Sequence, residues 1–169
     1  GKDLLKHNNP HKITGHILLS HTHWDHIQGF PFFAPAFIEG NHFYIYGAHQ
    51  SEEHLEDTLR GQMRFEYFPV ELEAMGGKIE VVELAEETVS INSHIKITTR
   101  KFNHPGGVYG FRIEHDGYIV VYCTDMEYTL ETLDDRLIDF AQNAHALIYD
   151  AQYTQEELKY KTGWGHSTP

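Results

Sequence analysis

Short apolar runs alternate with polar stretches along the chain, and both kinds of pattern predict regular elements. Apolar runs bounded by polar residues or glycine are typical of β-strands. These runs occupy residues 16–20, 43–47, 78–84, 95–102, 109–114, 118–122 and 146–149. Asp116-Gly117 separates two of the runs and predicts a tight hairpin. His16 lies inside the first run, so we expect it to be a core residue.

Three stretches predict helices. The first covers residues 51–60, with Ser51 as its N-cap and acidic residues in the first turn, where the helix dipole favours them. The second covers residues 129–143, and a capping box formed by Thr154 and Glu157 opens the third. Strands and helices mixed in this order predict an α/β fold in which helices cover at least one sheet.

Length and charge narrow the kind of molecule and its partners. A chain of 169 residues predicts a single domain, residues 1–169. Its 13 Lys+Arg stand against 25 Asp+Glu, which gives a net charge of -12 with histidine neutral. Because wrapping nucleic acid requires a face rich in lysine and arginine, we expect a small-molecule substrate and no nucleic acid wrapping.

The apolar runs also bear on location. None approaches the roughly 18–20 residues that cross a bilayer, so we expect no membrane partner and a cytoplasmic protein. We also expect no signal segment before the first strand. The sequence does not distinguish a monomer from a homo-oligomer.

Histidine is abundant, whereas cysteine is almost absent. The chain has 14 histidines and one cysteine, Cys123. One cysteine forms neither an internal disulfide nor a thiolate cluster, so any metal must be held by imidazole and carboxylate. Such ligands suit zinc, manganese or iron.

Four metal-competent side chains follow the first predicted strand directly, in His21-Thr22-His23-Trp24-Asp25-His26. In extended chain, residues two apart point the same way, so His21 and His23 can present two imidazoles to one ion. Asp25 and His26 follow where the chain turns toward a helix, and they can bind metal at a second position nearby. Four ligands in six residues at the end of a strand are hard to explain as packing.

This segment resembles the signature of the metallo-β-lactamase-fold hydrolases. The resemblance extends over most of the chain, because His104 in Phe102-Asn103-His104-Pro105-Gly106-Gly107 and Asp125 after the strand 118–122 fit two further family positions. It implies an αβ/βα sandwich with a binuclear metal site along one edge. It also implies two divalent metal ions, with zinc favoured over manganese or iron.

The resemblance assigns ligands position by position. It implies that His21, His23 and His104 hold one ion, that Asp25 and His26 hold the second, and that Asp125 bridges them. The family usually supplies one more histidine to the second ion, and no convincing candidate precedes Pro169. We therefore expect a fragment that is incomplete at both termini.

A second motif points to a branch of that family. Gly165-His166-Ser167-Thr168 resembles the segment found in the phosphodiesterase branch, which includes the tRNA 3′-processing endonucleases and cyclic-nucleotide phosphodiesterases. There the histidine is generally a proton donor or a transition-state contact rather than a metal ligand. From the chemistry of paired metal ions and general acid catalysis we expect His166 to protonate the leaving alkoxide and Asp25 to orient the water as well as bind metal.

The sequence therefore predicts a binuclear metal-dependent phosphodiesterase acting on a small phosphodiester such as a cyclic nucleotide. Two alternatives remain at this stage. One is a non-hydrolytic metal-binding or di-iron redox module of the same fold, and the other is a thioester or lactam hydrolase.

Some further residues are candidates for supporting roles. Glu127 is a candidate partner for a ligand histidine. Aromatic side chains are candidates for the wall of a substrate pocket, although core packing is the simpler interpretation: Trp24, Phe33, Tyr109, Tyr128 and Trp164. We expect the remaining histidines to lie on the surface or to satisfy local hydrogen bonds.

Overall fold

The computed structural model describes residues 12–48, 53–128 and 135–169. The chain divides into two compact units, Gly1–Glu83 and Leu84–Pro169. Both contain a β-sheet and helices, which confirms the predicted α/β class. No helix among the described residues is long and apolar enough to span a membrane.

The first unit is built on a three-stranded sheet. Its strands are β1 (Thr14–Leu19), β2 (His42–Ala48) and β3 (Lys78–Leu84), in the order β1-β2-β3. β1 and β2 run parallel, with Thr14 opposite His42 and Leu19 opposite Gly47. The chain passes from β1 into α1 (Trp24–Ile27) and from β2 toward α2 (Leu55–Gln62). Three short 3-10 turns complete the unit: Phe30–Phe32, Ala34–Phe37 and Leu72–Ala74.

One face of this sheet packs against α2. Ile45 of β2 contacts Leu55 and Leu59, which lie four residues apart on one side of the helix, and all three are buried. Ile17, Leu19, Ile79 and Val81 complete this cluster from the flanking strands. The alternation along β1 therefore places His16 away from this core. It is exposed, its ring stacks 5.0 Å from that of Tyr44, and the expectation of a core residue is wrong.

α2 begins later than the sequence predicts. Ser51 and Glu52 lie outside the described residues, and His54 occupies the N-cap with an extended conformation. The Leu55 amide donates to the carboxylate of Glu83 at 2.7 Å. A side chain from β3 thus satisfies one of the free amides at the start of this helix.

The second unit contains a five-stranded sheet. Its strands follow the order β4 (Thr88–Ser90), β5 (Ile95–Phe102), β6 (Val108–His115), β7 (Tyr118–Cys123) and β8 (Ala146–Tyr149). Neighbouring strands are antiparallel except β7 and β8, which run parallel. The pattern did not predict β4.

The local signals of this unit are mostly confirmed. Asp116 and Gly117 both have positive φ (47° and 84°), as a tight hairpin turn between β6 and β7 requires. α3 (Asp135–Ala141) falls within the predicted helix, whose residues 129–134 lie outside the described part. Asn143 adopts φ 59°, a left-handed conformation in which a helix cannot continue. Thr154 and Glu157 form the predicted capping box of α4 (Gln155–Lys161).

Candidate functional site

The first unit gathers the four predicted ligands of the histidine-rich segment. His21 follows β1 and is 2% exposed, while Asp25 and His26 lie in α1. The His21 ring lies 4.5 Å from that of His23 and 4.2 Å from that of His26. Asp25 Oδ2 lies 3.4 Å from His26 Nε2, and the Asp25 side chain is 72% exposed. The segment therefore concentrates imidazole and carboxylate at the carboxyl end of a parallel strand.

The second unit gathers its own set. His104 follows β5 and is buried, and Asp125 follows β7 with φ 52°. His166 Nδ1 lies 3.7 Å from Asp125 Oδ1, and the His166 ring lies 5.6 Å from that of His104. The three predicted residues of this unit are thus brought together, although more than sixty residues separate the first from the last.

Asp150 is a member of this set that sequence reasoning missed. It lies directly after β8, is 6% exposed, and its Oδ2 accepts a hydrogen bond from His166 Nδ1 at 2.8 Å. Its Oδ1 accepts from the Ser167 amide at 3.1 Å. Ligand atoms of Asp125, Asp150 and His166 all lie within 4.8 Å of one another. The available signal was an acidic residue at the carboxyl end of an apolar strand, the same position that Asp125 occupies.

A glycine loop anchors His104. Its Nδ1 donates to the Gly165 carbonyl at 2.8 Å. This bond leaves Nε2 as the ring nitrogen suited to a metal. Gly165 has φ 85°, and a Cβ at that position would stand 2.2 Å from His104 Nδ1. Glycine is therefore required both by the backbone conformation and by the close approach of the histidine.

Glu127 holds this loop rather than a ligand histidine. It is 6% exposed, and its carboxylate accepts from the Gly163 amide at 2.8 and 2.9 Å and from the Gly165 amide at 2.7 Å. The expected pairing with a ligand histidine is thus replaced by a two-step link, from Glu127 to Gly165 and from Gly165 to His104. A buried carboxylate that accepts several amide bonds is a strong local anchor.

Replacement of Glu127 by glutamine tests this anchor. An amide oxygen accepts these bonds without the added strength of a charge, and the amide nitrogen faces backbone donors. We expect Glu127→Gln to lower the free energy of unfolding by about 2 kcal/mol. Urea unfolding measures the change. Glu66→Gln, the same substitution at an exposed position, is the control. Equal midpoints for the two variants would show that the three contacts contribute nothing.

The donor set fits divalent metal. Each unit presents imidazole and carboxylate groups within a few ångströms of one another, and the single cysteine, Cys123, is buried in an apolar cluster. Imidazole suits zinc and iron, and carboxylate suits manganese, so this mixed set fits any of the three ions. The sequence-based choice of imidazole and carboxylate chemistry therefore agrees with the local geometry of both units.

Most of the remaining histidines have local partners, as expected. These partners are Glu80 for His42, Glu83 for His54, Asp116 for His94 and His115, and the Ile119 amide for His145. His7, His11 and His49 lie outside the described residues.

The candidate aromatic residues separate into two groups. Phe33 packs on Phe43 in the core, and Tyr109 is 8% exposed, so that burial, followed by the charges of Glu86 and Glu87, raises the pKa of Tyr109. By contrast, Trp24 and Trp164 are each 59% exposed. Tyr128 is half-buried and its hydroxyl forms a hydrogen bond with that of Thr168 at 2.7 Å, so the exposed members of the five candidates are the two tryptophans.

Comparison with known proteins places this chain in a family. The sequence profile of the beta-lactamase superfamily domain matches residues 4–169. The chain therefore belongs to the beta-lactamase superfamily, and the predicted resemblance is confirmed. A comparison with curated protein sequences finds no match.

Solved structures agree on the fold. The metallo-β-lactamase-fold protein YhfI from Bacillus subtilis superposes with a TM-score of 0.65 at 23% identity, covering 90% of this chain and 55% of that one. The short form of human tRNase Z (ELAC1) gives 0.69 at 17%, covering 91% and 64%. Zinc-bound PqqB from Methylobacterium extorquens gives 0.55 at 21%, covering 91% and 50%. The chain thus spans about half to two thirds of the length of these structural relatives.

Proposed function

We propose that the chain forms the catalytic part of a binuclear metal-dependent phosphodiesterase acting on a small phosphodiester such as a cyclic nucleotide. Three lines support the proposal. The chain belongs to the beta-lactamase superfamily. Each of its units carries a compact set of histidine and aspartate side chains. His166 of the Gly-His-Ser-Thr segment is held by a buried carboxylate.

The proposed ligands are those that the family resemblance implies. His21, His23 and His104 bind one ion, Asp25 and His26 bind the other, and Asp125 bridges the two. When bound, two divalent ions supply Lewis acidity toward phosphoryl oxygen and lower the pKa of a water toward neutrality. We propose zinc as the metal, on the chemistry of the ligands and the zinc-bound form of one structural relative.

The observation that carries the proposal is the bond from His166 Nδ1 to Asp150 Oδ2 at 2.8 Å. Because Asp150 engages Nδ1, it fixes the orientation of the ring and leaves Nε2 to deliver a proton. A phosphodiester with an alkoxide leaving group needs that proton as its P–O bond breaks. Asp25, whose side chain is exposed, is the group proposed to orient the attacking water.

Net charge supports a small substrate. One structural relative is a tRNase, whose substrate is a long polyanion. This chain carries -12, and binding of two divalent ions would leave it clearly acidic. A long nucleic acid would be repelled, whereas a substrate with one phosphodiester group presents one charge to the proposed ions.

The deciding experiment compares substrate classes on the zinc-loaded protein. We expect hydrolysis of bis-p-nitrophenyl phosphate that stops on chelation and returns when zinc is added. A β-lactam and a thioester, assayed at equal concentration, should turn over far more slowly. Turnover of the lactam or the thioester alone would overturn the phosphodiesterase assignment, and metal binding without any turnover would favour a non-hydrolytic module.

A further inference from the structure

The loop that anchors His104 also carries an exposed tryptophan. Trp164 lies between Gly163 and Gly165, two residues before His166, and 59% of its surface is exposed. Consecutive Cα atoms are about 3.8 Å apart, so the Cα atoms of Trp164 and His166 are at most about 7.6 Å apart. The backbone of Trp164 is therefore a near neighbour of the backbone of the proposed proton donor.

The backbone beneath the indole is fixed on both sides. Glu127 accepts from the amides of Gly163 and Gly165, and the Trp164 amide donates to the Lys161 carbonyl at 3.1 Å. A large aromatic ring on a backbone fixed in this way loses little conformational entropy when it binds a ligand. Tryptophan in such an exposed position is typical of residues that contact a ligand or a partner.

Lys161 covers part of the indole. Its Nζ lies 4.1 Å from the centre of the Trp164 ring, which is a cation–π contact. The contact places a positive charge beside this loop in a chain whose overall charge is -12. It also orients the indole, so that the aromatic ring of a ligand can stack on a pre-oriented side chain next to a positive charge.

We propose that Trp164 is the stacking surface for the nucleobase of the phosphodiester substrate, and that Lys161 positions the indole and attracts the anion. The inference rests on the proposed function, because it names the part of the substrate that lies beyond the phosphate. Stacking of a base on an aromatic side chain tolerates every base, since each has a π-face. The proposed substrate class is therefore small nucleotide diesters, without preference for one base.

The kinetic test compares two diesters with the same p-nitrophenolate leaving group. One is the p-nitrophenyl ester of thymidine 5′-monophosphate, and the other is methyl p-nitrophenyl phosphate, which has no base. We expect the zinc-loaded protein to show a KM about tenfold lower for the thymidine diester, the size of effect that stacking gives. In Trp164→Ala the ratio of the two KM values should fall close to one, and Trp164→Phe should restore part of it.

Tyr160 supplies the matched control. It is an aromatic residue of α4, 86% exposed, and lies outside the anchored loop. Tyr160→Ala should keep the KM ratio of the unaltered protein. A ratio that stays at the unaltered value in Trp164→Ala, or that falls equally in both variants, would overturn the proposal.

A binding measurement separates this inference from the proposed function. Thymidine 5′-monophosphate should quench tryptophan fluorescence in the unaltered protein, methyl phosphate should not, and Trp164→Phe should lose the quenching. If neither diester is hydrolysed but the quenching appears, the phosphodiesterase assignment fails and the base-stacking site stands. If diesters are hydrolysed and thymidine 5′-monophosphate leaves the fluorescence of Trp164 unchanged, the stacking site alone fails.

Discussion

Replacement of Gly165 by alanine is expected to abolish zinc-dependent turnover and to lower the free energy of unfolding by about 2–5 kcal/mol. The alanine Cβ would stand 2.2 Å from His104 Nδ1 and 2.4 Å from Pro105 Cδ. The histidine ring cannot yield without losing its bond to the Gly165 carbonyl. The φ of 85° adds the strain of a left-handed conformation. A displaced His104 would withdraw one proposed ligand of the metal centre.

Gly163→Ala is the matched control. Gly163 has φ 88° and donates to the same carboxylate, yet a Cβ there meets nothing within 4 Å. Gly163→Ala should therefore lower the free energy of unfolding only by the cost of a left-handed alanine, about 1–2 kcal/mol. Urea unfolding and zinc content per chain measure both variants. Equal losses of stability and of zinc would show that the close approach to His104 has no part in the effect.

Removal of the His166 side chain should slow hydrolysis by an amount that depends on the leaving group. For diesters that release an alkoxide, such as a cyclic nucleotide, we expect His166→Ala to lower kcat by roughly 10²–10⁴-fold, the usual contribution of general acid catalysis. For p-nitrophenyl diesters the loss should be far smaller, because p-nitrophenolate departs without a proton. The measurement is kcat for a series of diesters that differ only in the pKa of the leaving group.

Two further variants sharpen the result. Asp150→Asn keeps the shape of the side chain that orients His166, so it should show the same dependence on the leaving group with a smaller loss. His115→Ala removes an exposed histidine whose ring lies 3.6 Å from the carboxylate of Asp116 in the hairpin, and it should leave every rate unchanged. An equal loss for alkoxide and p-nitrophenolate diesters in His166→Ala would assign His166 a positioning role instead.

Local patterns predicted the elements whose causes are local. The turn at Asp116 and Gly117 needs only two residues that tolerate positive φ, and the box of Thr154 and Glu157 closes within one helical turn. The ligand segment 21–26 was found for the same reason, because its side chains are neighbours along the chain. In each case the interacting groups lie within a few residues of one another.

The interactions that sequence analysis missed join distant parts of the chain. Glu83 fixes the start of α2 from a strand 28 residues away, and Glu127 reaches the Gly163 amide across 36 residues. The hydrogen bond between Asp150 and His166 forms only in the folded chain, because 16 residues separate the two. The sequence around Glu83 and Glu127 carries no local sign of these partners, and the position of Asp150 after a strand does not indicate that its partner is His166. The ligand assignments across the chain came from family resemblance and stay predictions.

The bond between His104 and Gly165 also sets an order of events during translation. The ring nitrogen and the carbonyl that accepts from it are separated by 61 residues. At about 5–20 residues per second, a ribosome needs roughly 3–12 s to proceed from one to the other. Throughout that interval the nascent chain carries His104 without its anchor. The orientation of this imidazole is consequently completed only after the glycine loop has been made.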